Sequence, residues 1–134
     1  QWDDTVNAGF TAGTPWFYVN DNYREINVEA QEHDPDSLLN FYRRAIALRK
    51  RLPVVREGKY RDCCPLAGSL YTREMKGQRL LVACSFTERP LVVTPPKGYD
   101  FSKGRLVLQN YPVADPAIPF QTRPYETRVY LFEE

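Results

Sequence analysis

The chain has 134 residues, 43% of them hydrophobic and 13% aromatic, which is ample for a packed core and excludes a disordered chain. Its 18 Lys and Arg nearly balance 17 Asp and Glu, so the broad basic surface that nucleic-acid binding requires is missing and no nucleic-acid partner is expected. No apolar stretch approaches the roughly 20 residues that cross a bilayer, and the first residues hold no secretory h-region, so no membrane partner is expected either.

The chain opens on Gln1-Trp2-Asp3-Asp4, without an initiator Met, and leads at once into an aromatic loop; it reads as the middle of a longer polypeptide. Residues 1–33 are rich in Asn, Asp, Gly and Thr without sustained periodicity, which predicts a long ordered loop. Loops of that length in compact domains are uncommon and often functional. Trp2, Phe10, Trp16, Phe17, Tyr18 and Tyr23 can pin it to a larger body.

A helix is expected over 34–52. Asp34 suits the N-cap, Pro35 the first helical position, and Asp36 the positive end of the dipole. Leu38, Phe41, Tyr42, Ala45, Ile46, Leu48 and Leu52 recur at helical spacing, the basic residues gather toward the C-terminal end, and Pro53 stops the run. From residue 53 the pattern changes to strands, expected over 56–62, 69–74, 79–86, 91–94, 104–108 and 127–132. Met75-Lys76-Gly77-Gln78 reads as a hairpin turn. In the last strand Thr127, Val129 and Leu131 are expected on one face, and Arg128, Tyr130 and Phe132 on the other. Short strands broken by many of the 11 prolines argue for an antiparallel sandwich.

Cys63 and Cys64 are adjacent, so on a strand their side chains point to opposite faces and suit neither a mutual disulfide nor one metal. Cys84, inside an apolar run, reads as a small buried thiol. All three are expected to be reduced thiols, which fits the cytoplasm. The single His33 has no recognisable nucleophile motif around it and is expected at the surface, at the entrance of the helix. No His/Cys/Asp spacing suggests a metal site, and no cofactor is expected.

Several runs carry a resemblance. Gln1-Trp2-Asp3-Asp4 with Asn7-Ala8-Gly9-Phe10-Thr11 opens the series, followed by Asn22-Tyr23-Arg24-Glu25-Ile26-Asn27-Val28 and Asp34-Pro35-Asp36-Ser37. Phe41-Tyr42-Arg43-Arg44, Leu48-Arg49-Lys50 and Arg123-Pro124-Tyr125-Glu126-Thr127-Arg128-Val129-Tyr130 complete it. In this order they closely resemble the oligo-1,6-glucosidases and related bacterial α-glucosidases of the α-amylase superfamily, glycoside hydrolase family 13.

The resemblance implies a mainly β chain. Residues 1–52 would be the end of a catalytic (β/α)8 barrel, with loop 1–33 and last helix 34–52, and residues 53–134 a C-terminal antiparallel β-sandwich domain. It implies a retaining α-glucosidase acting on α-glucosidic, by preference α-1,6, bonds of short oligosaccharides. The family's Asp nucleophile, Glu acid/base and supporting Asp lie on barrel strands that would precede Gln1, so this chain would hold no catalytic residue and be inactive alone. Its partners would be the remainder of the barrel and the oligosaccharide substrate, with self-association when isolated. A transglycosylating relative such as a sucrose isomerase, trehalose synthase or dextran glucosidase would share this region, and an independent carbohydrate-binding β-sandwich module is the alternative of another class.

Within the chain, Asp3-Asp4 is the obvious carboxylate pair. A retaining glycosidase needs its two carboxyl groups about 5 to 5.5 Å apart across the scissile bond. Adjacent residues usually point apart, so loop hydrogen bonding or an ion pair is the preferred reading. Gln1, Trp2, Asp3 and Phe10 are the candidates for a substrate cleft, because aromatic rings cover the apolar faces of sugars while neighbouring amides and carboxylates bond the hydroxyls. The plainer alternative is that these rings cement the loop to a larger body.

Overall fold

A computed structural model describes residues 1–64, 68–117 and 119–133. They form two compact units, Gln1–Ala45 and Ile46–Glu134, divided inside a helix.

In the first unit the expected loop is partly helical. Two 3₁₀ turns, Val6–Gly9 and Asp21–Arg24, are followed by α1 (Val28–His33). The side chain of Asn27 caps α1, accepting from Ala30 N at 2.8 Å. The helix expected from residue 34 begins later, as α2 (Leu38–Arg51). Asp34 ends α1 instead of starting α2: the residue before a proline is pushed out of the helical region, and Asp34 is extended at φ −100° and ψ 109° ahead of Pro35. Ser37 then starts α2, its hydroxyl accepting from Asn40 N at 3.2 Å. Asn40 Nδ2 reaches back to the carbonyls of Gln31 and Asp34, each at 2.8 Å, and satisfies the end of α1. His33 therefore lies, exposed, at the exit of α1.

The same pre-proline effect recurs in the second unit. Leu52 is extended at φ −103° and ψ 106°, and Pro53 opens a further short helix, α3 (Pro53–Glu57). That helix consumes Arg56 and Glu57, so the first strand begins three residues later than expected. The strands are β1 (Lys59–Cys64), β2 (Gly68–Met75), β3 (Gln78–Ser85), β4 (Val92–Val93), β5 (Arg105–Gln109), β6 (Phe120–Gln121) and β7 (Thr127–Glu133). Five form an antiparallel sheet in the order β1-β2-β3-β7-β5, while β4 and β6 pair as a ribbon. Met75 pairs with Gln78 across the predicted turn, where Gly77 takes φ +78°, a conformation glycine adopts without cost.

Both faces of the large sheet are covered, one by the helices and the other by residues that include Phe120 of the two-stranded ribbon, which stands in place of the second full sheet that a sandwich would have. On one face Leu80, Val82, Val129 and Leu131 pack with Leu48, Leu52 and Val54 from the helices. On the other, Leu81, Tyr130 and Phe132 pack with Tyr99 and with Phe120 of the ribbon. The period-2 reading of the last strand thus holds for Val129 and Leu131 against Tyr130 and Phe132. The apolar stripe of α2 divides. Leu48 is buried in the sheet unit, whereas Leu38, Tyr42 and Ile46 are exposed.

Cys63 and Cys84 are free thiols. Cys84 is half-buried and accepts from the Thr127 hydroxyl at 3.4 Å. The side chain of Cys64 lies outside the described residues.

Candidate functional site

The first ten residues are held by their own backbone. Val28 N donates to Gln1 O and Glu29 N to Trp2 O, each at 3.0 Å, while Trp2 N donates to Ala8 O at 2.9 Å. The Gln1 side chain donates to Ile26 O at 2.6 Å and to Asn22 Oδ1 at 3.3 Å. The opening run is thus stitched to the start of α1, and the side chains of Trp2 and Phe10 come together edge to face, with ring centroids 6.5 Å apart and both rings more than half exposed.

Between those rings the chain makes a left-handed turn. Asn7, Ala8 and Gly9 take φ of 60°, 53° and 72° in succession. For the two residues with a Cβ this costs about 1–2 kcal/mol each. Asn7 Nδ2 offsets the strain by donating to Thr11 O at 2.9 Å and Gly13 O at 2.8 Å, and Ala8 is fully buried. Asp3 closes the turn. Its Oδ1 accepts from Thr5 N at 2.9 Å and from the Thr5 hydroxyl, and a Cβ placed on Gly9 would stand 2.7 Å from its Oδ2. Of the four sequence candidates, then, Trp2 and Phe10 face each other, Gln1 is spent on the α1 entrance, and Asp3 braces the turn. Asp4 is exposed beside it.

Phe10 also borders a cavity of about 490 Å³ whose other walls are Thr11, Thr14, Pro15, Trp16, Phe17, Tyr18 and Val19. Trp16 and Phe17 pack at 4.7 Å between centroids, yet Trp16 is 91% exposed. A hydrogen bond to Asp21 raises the Tyr18 phenol above its ordinary value of 10.0. Rings beside threonine hydroxyls are the surroundings that a pyranose ring matches, apolar on its faces and polar at its rim. The signal for this wall was present in the sequence as the unbroken apolar run 15–19 inside a polar loop.

Among the described residues no group of three or more His, Cys, Asp or Glu side chains is placed to hold a metal ion. Among the same residues no helix is long and apolar enough to cross a membrane.

Residues 1–58 match the family model described as alpha amylase, catalytic domain. Over its full length the chain is 40% identical to probable oligo-1,6-glucosidase 2 of Bacillus subtilis, and over 98% of its length 40% identical to the trehalose-6-phosphate hydrolase of Escherichia coli; it covers 24% of each. In structure it matches the trehalose-6-phosphate hydrolase of Bacillus licheniformis with a TM-score of 0.90 and 32% identity over 100% of this chain and 25% of that one. The isomaltulose synthase of Klebsiella sp. LX3 gives a TM-score of 0.83 and 36% identity over 98% and 24%. The chain spans about a quarter of the length of the curated relatives it matches, and it belongs to the α-amylase superfamily, glycoside hydrolase family 13.

Proposed function

We propose that this chain is a structural part of a retaining α-glucosidase that hydrolyses α-glucosidic bonds, α-1,6 by preference, in short oligosaccharides. The observation that carries the reading is identity of 40% with a probable oligo-1,6-glucosidase over the whole chain and with an oligo-1,6-glucosidase over 97% of it. In this reading Trp2, Phe10 and the aromatic loop flank the substrate cleft, while Gln1 and Asp3 fix the loop that presents them. The chain contributes no catalytic carboxylate, and its β unit serves as a packed support. The enzyme works in the cytoplasm, where its thiols stay reduced, and its other partner is the rest of the catalytic barrel.

The likeness to trehalose-6-phosphate hydrolases favours a second reading, in which the substrate is a phosphorylated disaccharide. The likeness to isomaltulose synthase bears in the same way on isomerisation of sucrose. The complete enzyme is to be assayed in parallel on isomaltose, trehalose 6-phosphate and sucrose, with the anomer of released glucose followed by NMR. The expected result is hydrolysis of isomaltose with retention. Turnover confined to either of the other two substrates overturns the first reading. The 134-residue chain alone is expected to leave p-nitrophenyl α-glucoside untouched, and turnover abolished by mutating a carboxylate within it refutes the structural role.

A further inference from the structure

Tyr125 sits where a bulky residue is rarely found. Its φ is +54°, in the left-handed region, and its side chain is 54% exposed. The backbone is held there from several sides. Tyr125 N donates to Thr87 O at 3.2 Å, Asn110 Nδ2 donates to Tyr125 O at 2.8 Å, and the Tyr111 hydroxyl donates to the carbonyl of the preceding Pro124 at 3.2 Å. The next residue, Glu126, is fully buried, and its carbonyl accepts from Ser85 N at 2.8 Å. Those two backbone bonds bracket Phe86, which is also largely exposed.

The alternation of the final strand accounts for Tyr130 and Phe132 as core, but it does not account for Tyr125. A glycine would take this φ freely, and the ring contributes little packing to the unit. An aromatic side chain kept on strained backbone and turned to solvent points to a use at the surface. The surroundings narrow that use. Glu88, Arg89 and Arg123 are exposed, with Arg123 stacked over the Tyr111 ring at 4.4 Å. In the chain Tyr125 and Phe86 adjoin these charged residues and the exposed Pro124, and single rings in such a setting are small apolar surfaces rather than a broad interface patch. They match a sugar, whose apolar face is small and whose edge is all hydroxyls.

We propose that Tyr125, with Phe86, forms a carbohydrate-binding site on the β unit, with an α-linked gluco-oligosaccharide as its ligand. The site carries out no chemistry; it retains substrate or product chains at the surface on a platform already rigid before binding. The choice of an α-glucoside rests on the function proposed above, whereas the stacking site rests on the geometry alone.

The test is titration of the 134-residue chain with maltose, isomaltose and cellobiose, followed by aromatic ¹H–¹³C NMR. Saturable shifts at Tyr125 and Phe86 are expected with maltose or isomaltose. Tyr125→Phe should keep them. Tyr125→Gly should abolish them while leaving the melting temperature unchanged or higher, because the turn is relieved. Absence of shifts overturns the site, as does undiminished binding by Tyr125→Gly or a large fall in its melting temperature. Equal binding of cellobiose overturns the ligand class and leaves the hydrolytic activity of the complete enzyme to be judged separately. A Tyr125 ring already shielded from solvent in the sugar-free complete enzyme also overturns the proposal, assigning the ring to a contact between domains.

Discussion

Arg128 Nε lies 2.9 Å from Glu126 Oε1, and the carboxylate it bonds is completely buried. Arg123 adds its backbone N–H to Oε2 at 2.7 Å and its guanidinium to Oε1 at 2.8 Å, while Arg128 itself lies over the Phe120 ring at 3.8 Å. This knot ties the excursion between β5 and β7 to the sheet. Burial alone would raise the Glu126 carboxyl, but the bonds from Arg123 and Arg128 outweigh it and hold the group at about 2, against an ordinary 4.5.

The first prediction follows from the sign of that shift. A carboxyl depressed on folding stabilises the folded state above its unfolded value, so the contribution is full above about pH 5 and is lost as pH falls from 4.5 toward 2. The amount is roughly 3 kcal/mol. Urea unfolding at pH 7 and pH 3 should show the loss in the wild type and little of it in Glu126→Gln. Glu126→Ala, which strands a buried Arg128, should cost about 3–5 kcal/mol at pH 7. Equal pH dependence in wild type and Glu126→Gln would remove the carboxylate from this role.

What the sequence disclosed and what it hid follow a physical divide. The hairpin at Lys76-Gly77 and the two-faced pattern of Val129, Tyr130, Leu131 and Phe132 depend on local period and turn chemistry, so they were legible. The helix boundaries were misjudged because Pro35 and Pro53 each act twice. Proline suits a helix start, but it also expels its predecessor from the helix, and at Asp34 and Leu52 the second effect decides where the previous helix ends. β6 is two residues long and owes its existence to the pairing of Val93 with Phe120, a contact between distant segments that no local window reveals. At the candidate site the residue types were legible, but the left-handed turn that makes Asp3 a brace was not. Asn7-Ala8-Gly9 demands positive φ obviously only at its glycine.

The second prediction contrasts two positions six residues apart on α2. Leu48 is buried among Val54, Leu80 and Val129, so Leu48→Ala should cost about 2–5 kcal/mol. Tyr42 belongs to the same apolar stripe in the sequence but is 60% exposed, and Tyr42→Ala should change stability by no more than about 0.5 kcal/mol. Denaturant titration of both variants checks the difference. Similar losses at the two positions would mean that the exposed part of the stripe is covered in solution, and sedimentation at several concentrations would then reveal self-association.

Thiol chemistry supplies the third. Burial raises the Cys84 thiol above its ordinary value of 9.0, only partly countered by the hydroxyl of Thr127. Since the thiolate is the reactive form, Cys84 should alkylate with iodoacetamide far more slowly than free cysteine at pH 8, and urea should erase the difference. Mass-spectrometric peptide mapping over time measures it. Rapid labelling of Cys84 in the folded chain would contradict its placement against the core.

The last prediction concerns Gly9 and the turn behind the candidate cleft. An alanine there must adopt φ near +72° and place its Cβ 2.7 Å from Asp3 Oδ2, so strain and collision act together. The Asp3 side chain is the element free to yield. Its displacement would release Thr5 N, which it now accepts from at 2.9 Å, and loosen the edge-to-face contact of Trp2 with Phe10. Gly9→Ala should therefore speed hydrogen exchange at the Thr5 amide many-fold and destabilise the first unit by about 1–2 kcal/mol. Gly13→Ala is the matched control, since a Cβ there meets only the Thr11 hydroxyl oxygen at 3.7 Å. Asp3→Ala should release the same amide without adding strain. If Thr5 exchanges at the wild-type rate in both Gly9→Ala and Asp3→Ala, then Asp3 is not the brace of this turn, and its carboxylate is available for contact with substrate after all.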